Sequence, residues 1–281
     1  MTPRYVTPTS LTEVVATLST SSGTAIVLGG GTMVYPRISR REIRPQLIVD
    51  LAGVTALHEL SCNPGSLIVG AAVTYSRLID ELTDLSPLLV HVARGITGGP
   101  QIRNQGTFAG SVAFANPSSE APAVLVALGG RVEITGPEGI RTVDAQEFFV
   151  DNQITVLGPA EIVSRLIIPR EHAAAPWGYL KLKRSESSWP LVTATAVIMT
   201  AADGDTRMRL VLGAITGVPV LFDIPVGPDA DPIRLIGDLI TERSPSLAWL
   251  DDELASAKYR ARVATVVARR AAQAALRRGD A

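Results

Sequence analysis

Three consecutive glycines followed by a threonine, Gly29-Gly30-Gly31-Thr32, constrain the fold of this chain more than any other feature. They end a short apolar run, 25–28, that predicts a buried strand, and they precede a segment, 33–40, that predicts a helix. Glycine tolerates left-handed backbone angles and lets other groups approach closely. A glycine turn between a strand and a helix exposes successive N–H groups. It therefore predicts either a plain tight turn or an anion-binding loop.

A second glycine-containing segment, 95–111, holds five glycines in seventeen residues. We interpret it as one long loop, because such loops are uncommon in compact domains unless they serve a function. Its last part, Gly106-Thr107-Phe108-Ala109-Gly110-Ser111, places small residues where a flat ligand or a phosphate could approach the backbone. Glu120 lies ten residues after Gly110, in the first turn of a predicted helix, 119–128. There a carboxylate either stabilises the helix dipole or accepts hydrogen bonds from ligand hydroxyls.

The third feature is a pair of lysines in a chain that otherwise prefers arginine. Lys181 and Lys183 are two of only three lysines, against 23 arginines. They alternate with leucines along a predicted strand, 177–183, and therefore share one face. That face is either an ordinary polar surface or part of a site, and Trp189 follows it closely.

Around these features the pattern predicts three units. Two α/β subdomains cover 1–55 and 56–170, and a domain with an antiparallel sheet plus helices covers 176–281. A linker, 169–176, precedes the third unit. The last predicted helix, 259–278, carries seven basic residues between 258 and 278 without an acidic one, which favours either a solvated face or a docking face.

Composition excludes several classes of protein. The chain is 46% hydrophobic, so it is globular rather than disordered, and its net charge of -1 argues against a nucleic-acid partner. A single cysteine, Cys62, excludes an intrachain disulfide and a [2Fe–2S] cluster held by this chain alone. The three histidines, His58, His91 and His172, show no ligand spacing, so no metal site is predicted.

The cellular location is also constrained by the sequence. The N-terminal residues lack the apolar core of a signal peptide, and the longest apolar stretch, 194–202, is far shorter than the ~20 residues of a membrane-spanning helix. A lone cysteine fits a reducing compartment. We therefore expect a cytoplasmic protein without a membrane span.

Four motifs in order resemble those of the FAD-binding medium subunits of the molybdenum hydroxylases, the group of carbon monoxide dehydrogenase, xanthine dehydrogenase and bacterial N-heterocycle dehydrogenases. The resemblance extends over essentially the whole chain. The motifs are Gly29-Gly30-Gly31-Thr32-Met33-Val34, the segment 100–111 (PQIRNQGTFAGS), the segment 116–123 (NPSSEAPA), and the segment 179–184 (YLKLKR).

The resemblance implies an α+β protein. FAD would lie between the two subdomains of a fold similar to the vanillyl-alcohol-oxidase (PCMH) type, followed by the small C-terminal domain. The backbone of Gly29, Gly30, Gly31, Thr32 and Met33 would hold the pyrophosphate of FAD.

It also implies roles for the later motifs. Glu120 would bind ribose or ribityl hydroxyls, Lys181 would lie near the dinucleotide, and the Trp189 indole would stack on the isoalloxazine ring. Further contacts with phosphate and flavin are expected from Ile102, Thr107, Ala109, Gly110 and Ser111.

The chain departs from the family pattern at three of these positions. Where the family has Ile-Gly-Gly-Asn, this chain has Phe108-Ala109-Gly110-Ser111. Ala109 adds a Cβ where the backbone is usually bare, and Ser111 replaces an amide side chain. Met33 replaces a usual polar residue, which leaves only its backbone to bind phosphate.

The implied function is electron transfer within a larger enzyme. A large partner subunit would oxidise the substrate at a molybdopterin cofactor, and a small partner subunit would pass electrons through two [2Fe–2S] clusters to FAD on this chain and on to an external acceptor. The assembly would be a dimer of heterotrimers. No catalytic or metal-binding residue is assigned to this chain.

Two alternatives remain open. One is a self-sufficient flavin oxidase of the related fold, with His91 or His172 as its base. The other is a partner-binding relative that has lost FAD, as the changes at Ala109 and Ser111 could indicate.

Overall fold

The computed structural model describes residues 3–21, 24–200, 204–228 and 230–279. The first stretch of the chain, residues 4–50, forms a three-stranded parallel sheet with the strand order β1-β3-β2. The Ser10 hydroxyl accepts a hydrogen bond from the Glu13 amide and begins the first helix, as the sequence predicts. The elements are β1 (Arg4–Val6), α1 (Leu11–Ser19), β2 (Ala25–Leu28), α2 (Val34–Ser39) and β3 (Leu47–Asp50).

The second stretch forms a five-stranded antiparallel sheet with helices packed against it. The strand order is β4-β5-β10-β6-β7, and β8 and β9 form a separate two-stranded ribbon. The elements are β4 (Leu60–Cys62), β5 (Ser66–Gly70), α3 (Tyr75–Glu81), α4 (Pro87–Arg94), α5 (Pro100–Arg103), α6 (Phe108–Phe114), α7 (Glu120–Ala127), β6 (Arg131–Gly136), β7 (Gly139–Asp144), α8 (Ala145–Phe148), β8 (Phe149–Asp151), β9 (Ile154–Thr155), β10 (Ile162–Pro169) and α9 (Arg170–Ala174).

The third stretch is a four-stranded antiparallel sheet in sequential order, β11-β12-β13-β14, with two long helices. Apolar residues that alternate along the strands, such as Ala194 and Leu210, form a core with α10 and α11. The opposite face contributes Val197 and Val211 to the core of the first two stretches. The elements are β11 (Trp177–Lys183), β12 (Pro190–Thr200), β13 (Thr206–Gly213), β14 (Val220–Pro225), α10 (Pro232–Arg243) and α11 (Ala257–Gly279).

Helix α7 lies between the second stretch and the C-terminal sheet. All eight of its residues are buried, including Glu120, because it packs on β12 and β13 as well as on α6. A helix that is apolar all round is typical of such a central position. Arg209 on β13 donates hydrogen bonds to the last carbonyls of α7, those of Val126 (2.8 Å) and Ala127 (3.3 Å). The C-terminal sheet therefore fixes the helix that carries Glu120.

The prediction of one long loop over 95–111 is wrong. The segment contains α5 and the start of α6, and Thr107 is the N-cap of α6, where its Oγ1 accepts a hydrogen bond from the Gly110 amide at 2.9 Å. The predicted linker, 169–176, likewise contains α9. The glycines and prolines of both segments end or begin short helices instead of excluding them.

The basic face of α11 is only partly solvated. Arg260 is fully buried and forms two hydrogen bonds with the Asp252 carboxylate, at 2.9 and 3.0 Å. The guanidinium of Arg278 lies 4.0 Å from the centroid of the Trp177 ring. The remaining basic side chains that are exposed include those of Lys258, Arg262, Arg270 and Arg277.

Candidate functional site

The glycine turn predicted from the sequence follows β2 directly and lines a cleft. Gly31 has a φ of +69°, in the left-handed region, whereas Met33 is right-handed, with φ -96° and ψ -33°. Such alternation directs successive N–H groups into one concavity. Among the described residues, no group accepts a hydrogen bond from the amides of Gly30, Gly31, Thr32 or Met33. Because backbone N–H groups require partners, the turn is suited to a ligand that offers several acceptor oxygens.

The two glycine-containing bends lie against each other. A Cβ atom placed on Gly30 would lie 1.8 Å from the Gln105 carbonyl oxygen, and one placed on Gly106 would lie 3.4 Å from Thr32 Oγ1. Only a residue without a side chain fits at Gly30, since real contacts of this kind stay well above that distance. Close packing of the two backbones thus brings Gly29–Met33 and Thr107–Ser111 to one cleft.

The cleft consists of two cavities that share a wall. The large cavity has a volume of about 580 Å³ and the small cavity about 240 Å³. We call the shared wall the junction; its residues are Thr32, Met33, Ser111 and Phe114. Apolar side chains such as Ile43, Leu51 and Leu157 line the large cavity. The junction carries two of the four unpartnered amides, those of Thr32 and Met33.

Glu120 lines the small cavity and is paired with Lys181. The Lys181 ammonium donates to Glu120 Oε1 at 2.8 Å and to the Gly95 carbonyl at 2.5 Å. Lys181 extends from β11, so the pair joins the C-terminal sheet to α7. A buried carboxylate requires such a partner. The pairing fixes the Glu120 carboxylate at the cavity wall, where its oxygens can accept further hydrogen bonds.

Two tyrosines lie behind this wall. The Tyr75 hydroxyl donates to Ser111 Oγ at 2.7 Å and so fixes a junction residue. Burial raises the pKa of Tyr75, and the nearby Glu120 charge adds to this shift. Burial and the same charge raise the pKa of Tyr179, whose hydroxyl has no partner among the described residues. Both phenols therefore stay protonated and neutral near Glu120.

Two further predicted residues, Ile102 and Trp189, also line the small cavity. Ile102 belongs to α5, and Trp189 lies in the turn before β12. The Trp189 ring is partly exposed, so one side of it remains available to a planar ligand.

The structure thus brings almost all of the predicted site residues to one cleft. Lys181 lines neither cavity, but it contacts Glu120, which does. The large cavity is lined by Gly29, Gly30, Gly31, Thr32, Met33, Thr107, Ala109, Gly110 and Ser111.

Sequence reasoning missed two charged residues that line the large cavity. Arg37 is one helical turn beyond Met33 on α2. Glu161 precedes β10 and forms two hydrogen bonds with the Arg141 guanidinium, at 2.8 and 2.7 Å. The hydrogen bonds from Arg141 are the largest cause of a lowered pKa of Glu161. Helical spacing after the glycine turn could have indicated Arg37, whereas no local signal indicates Glu161.

No cluster of three or more His, Cys, Asp or Glu side chains in the described ranges is arranged to hold a metal ion. None of the described helices is both long enough and apolar enough to cross a membrane.

Comparison with known proteins agrees with this geometry. Residues 1–171 match the family described as the FAD binding domain in molybdopterin dehydrogenase. The chain is 30% identical over 264 residues to the nicotine 6-hydroxylase medium subunit of Paenarthrobacter nicotinovorans, covering 92% of this chain and 91% of the relative. It is 29% identical over 283 residues to the carbon monoxide dehydrogenase medium chain of Afipia carboxidovorans, covering 96% of each.

Solved structures give the same result for the fold. Carbon monoxide dehydrogenase from Hydrogenophaga pseudoflava superposes with a TM-score of 0.90 at 26% identity, covering 99% of each chain. Quinoline 2-oxidoreductase from Pseudomonas putida 86 gives 0.86 at 28% identity, covering 98% of each chain. The predicted α+β fold is confirmed by these neighbours, and so is the resemblance to the medium subunits of molybdenum hydroxylases.

Proposed function

Since this chain belongs to the family of FAD-binding domains of molybdopterin dehydrogenases, we propose that it binds FAD in the cleft and transfers electrons within a heteromeric molybdenum hydroxylase. It is a medium, FAD-binding subunit of the oxidoreductase type. We also propose where FAD binds, which residues hold it, the route of the electrons and the composition of the assembly. The two subdomains proposed to enclose FAD are 1–55 and 56–170.

One observation carries the proposal: four amides without an acceptor among the described residues line the cleft, and two of them, those of Thr32 and Met33, lie where its two cavities meet. FAD has a flavin half and an adenosine half joined by a pyrophosphate, so a dinucleotide needs two compartments with anion-binding groups between them. The amides of Gly30, Gly31, Thr32 and Met33 offer those groups. The absence of a Cβ at Gly30 lets the second bend close against the first. The residues present therefore fit the cofactor.

The cleft residues divide according to the half of FAD that they would hold. Ile102, Glu120 and Trp189 in the small cavity suit the flavin half, since they combine an apolar face, a hydroxyl acceptor and an indole ring. The apolar large cavity suits the adenine half. Thr107, Ala109, Gly110 and Ser111 line the stretch between them. When bound, FAD supplies one- and two-electron redox chemistry, and the protein orients it.

The partners follow from what this chain lacks. Cys62 is a free thiol, and one cysteine is insufficient for a [2Fe–2S] cluster. We therefore assign the two [2Fe–2S] clusters to a small subunit and the molybdopterin cofactor to a large subunit, in a dimer of heterotrimers. An external acceptor receives the electrons from this chain. A lone thiol also supports a cytoplasmic location.

The alternatives have less support. A self-sufficient oxidase would need a base beside the cofactor, but His91 and His172 line neither cavity. His91 packs against Trp177, and His172 contacts the Leu128 carbonyl. A relative that has lost FAD would show a disrupted second bend. Instead, Ala109 is buried in a regular helix and Ser111 keeps its hydrogen bond with Tyr75.

The proposal is tested by spectroscopy on the full chain and on the complex. The purified chain should show the absorption of oxidised flavin, and substrate should bleach it only when both partner subunits are present. A chain that stays colourless with excess FAD contradicts the binding. Bleaching of the isolated chain by an organic substrate would instead support the oxidase.

Glu120→Gln tests the residue assignment. Removing the charge should raise the Kd for FAD about tenfold, the size expected for one hydrogen bond to a charged group. The measurement is a titration of flavin fluorescence. Glu133→Gln is the matched control, because Glu133 is also paired with a cation, the Arg165 guanidinium at 2.9 Å, but lines neither cavity. Equal Kd values for the two variants would show that Glu120 has a purely structural role.

A further inference from the structure

Arg37 lies beside the junction of the two cavities. Of the described residues that line either cavity, it is the only one with a cationic side chain. Its guanidinium carbon lies 5.8 Å from the centroid of the Phe114 ring, and Phe114 is part of the junction. Arg37 is also one helical turn beyond Met33, whose amide has no partner. A full positive charge and the unpartnered amides of Thr32 and Met33 therefore meet at the junction.

The charged side chains around the cleft differ in how closely each is paired with an opposite charge. The two carboxylates that line it already have cations within the protein, Glu120 with Lys181 at 2.8 Å and Glu161 with Arg141 at 2.7 Å. The carboxylate nearest Arg37 is that of Glu42, at 3.7 Å, and Glu42 lies closer to Arg40, at 2.5 Å.

Arg37 therefore has only a weak ion pair, with the Glu42 carboxylate that it shares with Arg40. Exposed pairs at such distances contribute little, so the pair is readily exchanged for a better one. The cleft near the junction consequently has an excess of positive charge, which an anionic ligand would neutralise.

We propose that Arg37 binds the pyrophosphate of FAD together with the amides of the glycine turn. The inference rests on the function proposed above and adds a side chain to a site otherwise built from backbone. A guanidinium presents planar, forked donors that match phosphate oxygens. The Phe114 ring holds the guanidinium by a cation–π contact, which limits the orientations available to it before the ligand binds. Arg37 thereby supplies the charge that the amides lack.

The test is a titration of the flavin-free full chain with FAD, followed by flavin fluorescence, at low and at high salt. Arg37→Gln should raise the Kd about tenfold at low salt, as loss of one charge-assisted contact implies. Arg37→Lys keeps the positive charge and should therefore raise the Kd for FAD by a smaller factor. Because salt screens exposed charges, the wild-type Kd should rise with salt more steeply than that of Arg37→Gln. Arg41→Gln is the matched control, since Arg41 is exposed and lines neither cavity.

The outcomes separate the inference from the proposed function. Equal Kd values for Arg37→Gln and Arg41→Gln would overturn the role of Arg37 while FAD binding stands. Equal losses in Arg37→Gln and Arg37→Lys, with an unchanged salt dependence, would show that the side chain only supports Phe114, which also overturns it. Failure of the wild-type chain to take up FAD would instead contradict the proposed function itself. Thermal unfolding of each flavin-free variant confirms that the chains compared are folded.

Discussion

The two cavities of the cleft each end in a carboxylate–cation pair, and the pairs differ in burial rather than in distance. Glu120 and Lys181 lie 2.8 Å apart with side chains 3% and 18% exposed. Glu161 and Arg141 lie 2.7 Å apart with side chains 20% and 42% exposed. Because water screens the second pair and is largely excluded from the first, breaking the buried pair should cost far more.

The pairs also differ in what they connect. Glu120 belongs to the second stretch and Lys181 to the C-terminal sheet, so the pair exists only when both pack together. Arg141 and Glu161 both belong to the second stretch, on and beside its five-stranded sheet. The C-terminal sheet therefore completes the small cavity, whereas the pair at the large cavity is a local contact. Three substitutions test this difference.

Lys181→Met should have the largest effect. It leaves Glu120 buried without its cation, and breaking one partner of a buried pair typically costs about 3–5 kcal/mol. The free energy of unfolding, measured by urea denaturation of the full chain, should fall by that amount. Binding of FAD should weaken as well, since Glu120 loses the contact that positions it.

The control for this prediction is Lys183→Met on the same strand. Lys183 donates to Thr97 Oγ1 at 3.3 Å and to the Glu186 carbonyl, and it pairs with no carboxylate among the described residues. Its loss should cost less than about 1 kcal/mol. Adding Glu120→Gln to Lys181→Met should recover part of the stability, because the uncompensated charge is then gone. Equal effects of the two lysine substitutions would contradict the comparison.

Gly30→Ala should have the second largest effect, because it acts on the wall between the two cavities. The added Cβ would lie 1.8 Å from the Gln105 carbonyl oxygen, a backbone atom that can yield only if the bends separate. Overpacking of this kind costs about 1–3 kcal/mol, and the separated bends should also bind FAD more weakly.

Gly227→Ala is the control for this substitution, since no atom lies within 4 Å of the added methyl group. Denaturation and FAD titration of the two alanine variants give the comparison. Unchanged FAD binding in Gly30→Ala would show that the contact between the bends is not part of the site.

Sequence patterns predicted the parts of this site that depend on neighbouring residues. The strand 25–28, the glycine turn and the helix that carries Glu120 each follow from local composition, and the structure confirms them. The pairing of Glu120 with Lys181 was not predicted, because it requires β11 to pack beside α7. Glu161 was missed for the same reason, since it reaches the large cavity only after β10 joins the second sheet.

The errors made in predicting the fold from the sequence have physical causes. In the segment 95–111 the glycine content suggested a loop, but Thr107 offers a side-chain cap that begins α6. Strand β14 was missed because the sequence 220–225 mixes apolar residues with Asp223 and Pro225, and pairing with β13 decides its structure. Arg260 was expected on a polar face, but Asp252 and three carbonyls satisfy it inside the core.

Arg141→Gln should have the smallest effect and the clearest dependence on pH. Arg141 is well exposed, so the loss at neutral pH should stay below about 1 kcal/mol. The hydrogen bonds from Arg141 are the largest cause that holds the pKa of Glu161 below its ordinary value of 4.5, and burial opposes them. A carboxyl group whose pKa is lower in the folded than in the unfolded chain stabilises the folded state at pH values above the unfolded pKa. This stability is lost as the pH falls through the folded pKa.

The difference in unfolding free energy between wild type and Arg141→Gln should therefore be constant from neutral pH down to about that ordinary value and shrink below it. The measurement is urea denaturation of both chains across this range. A difference that persists after Glu161 is protonated would come from the lost packing of the arginine stem rather than from charge. In that case the pair at the large cavity would stabilise the fold by packing, and the contrast with Glu120 and Lys181 would be one of chemistry as well as burial.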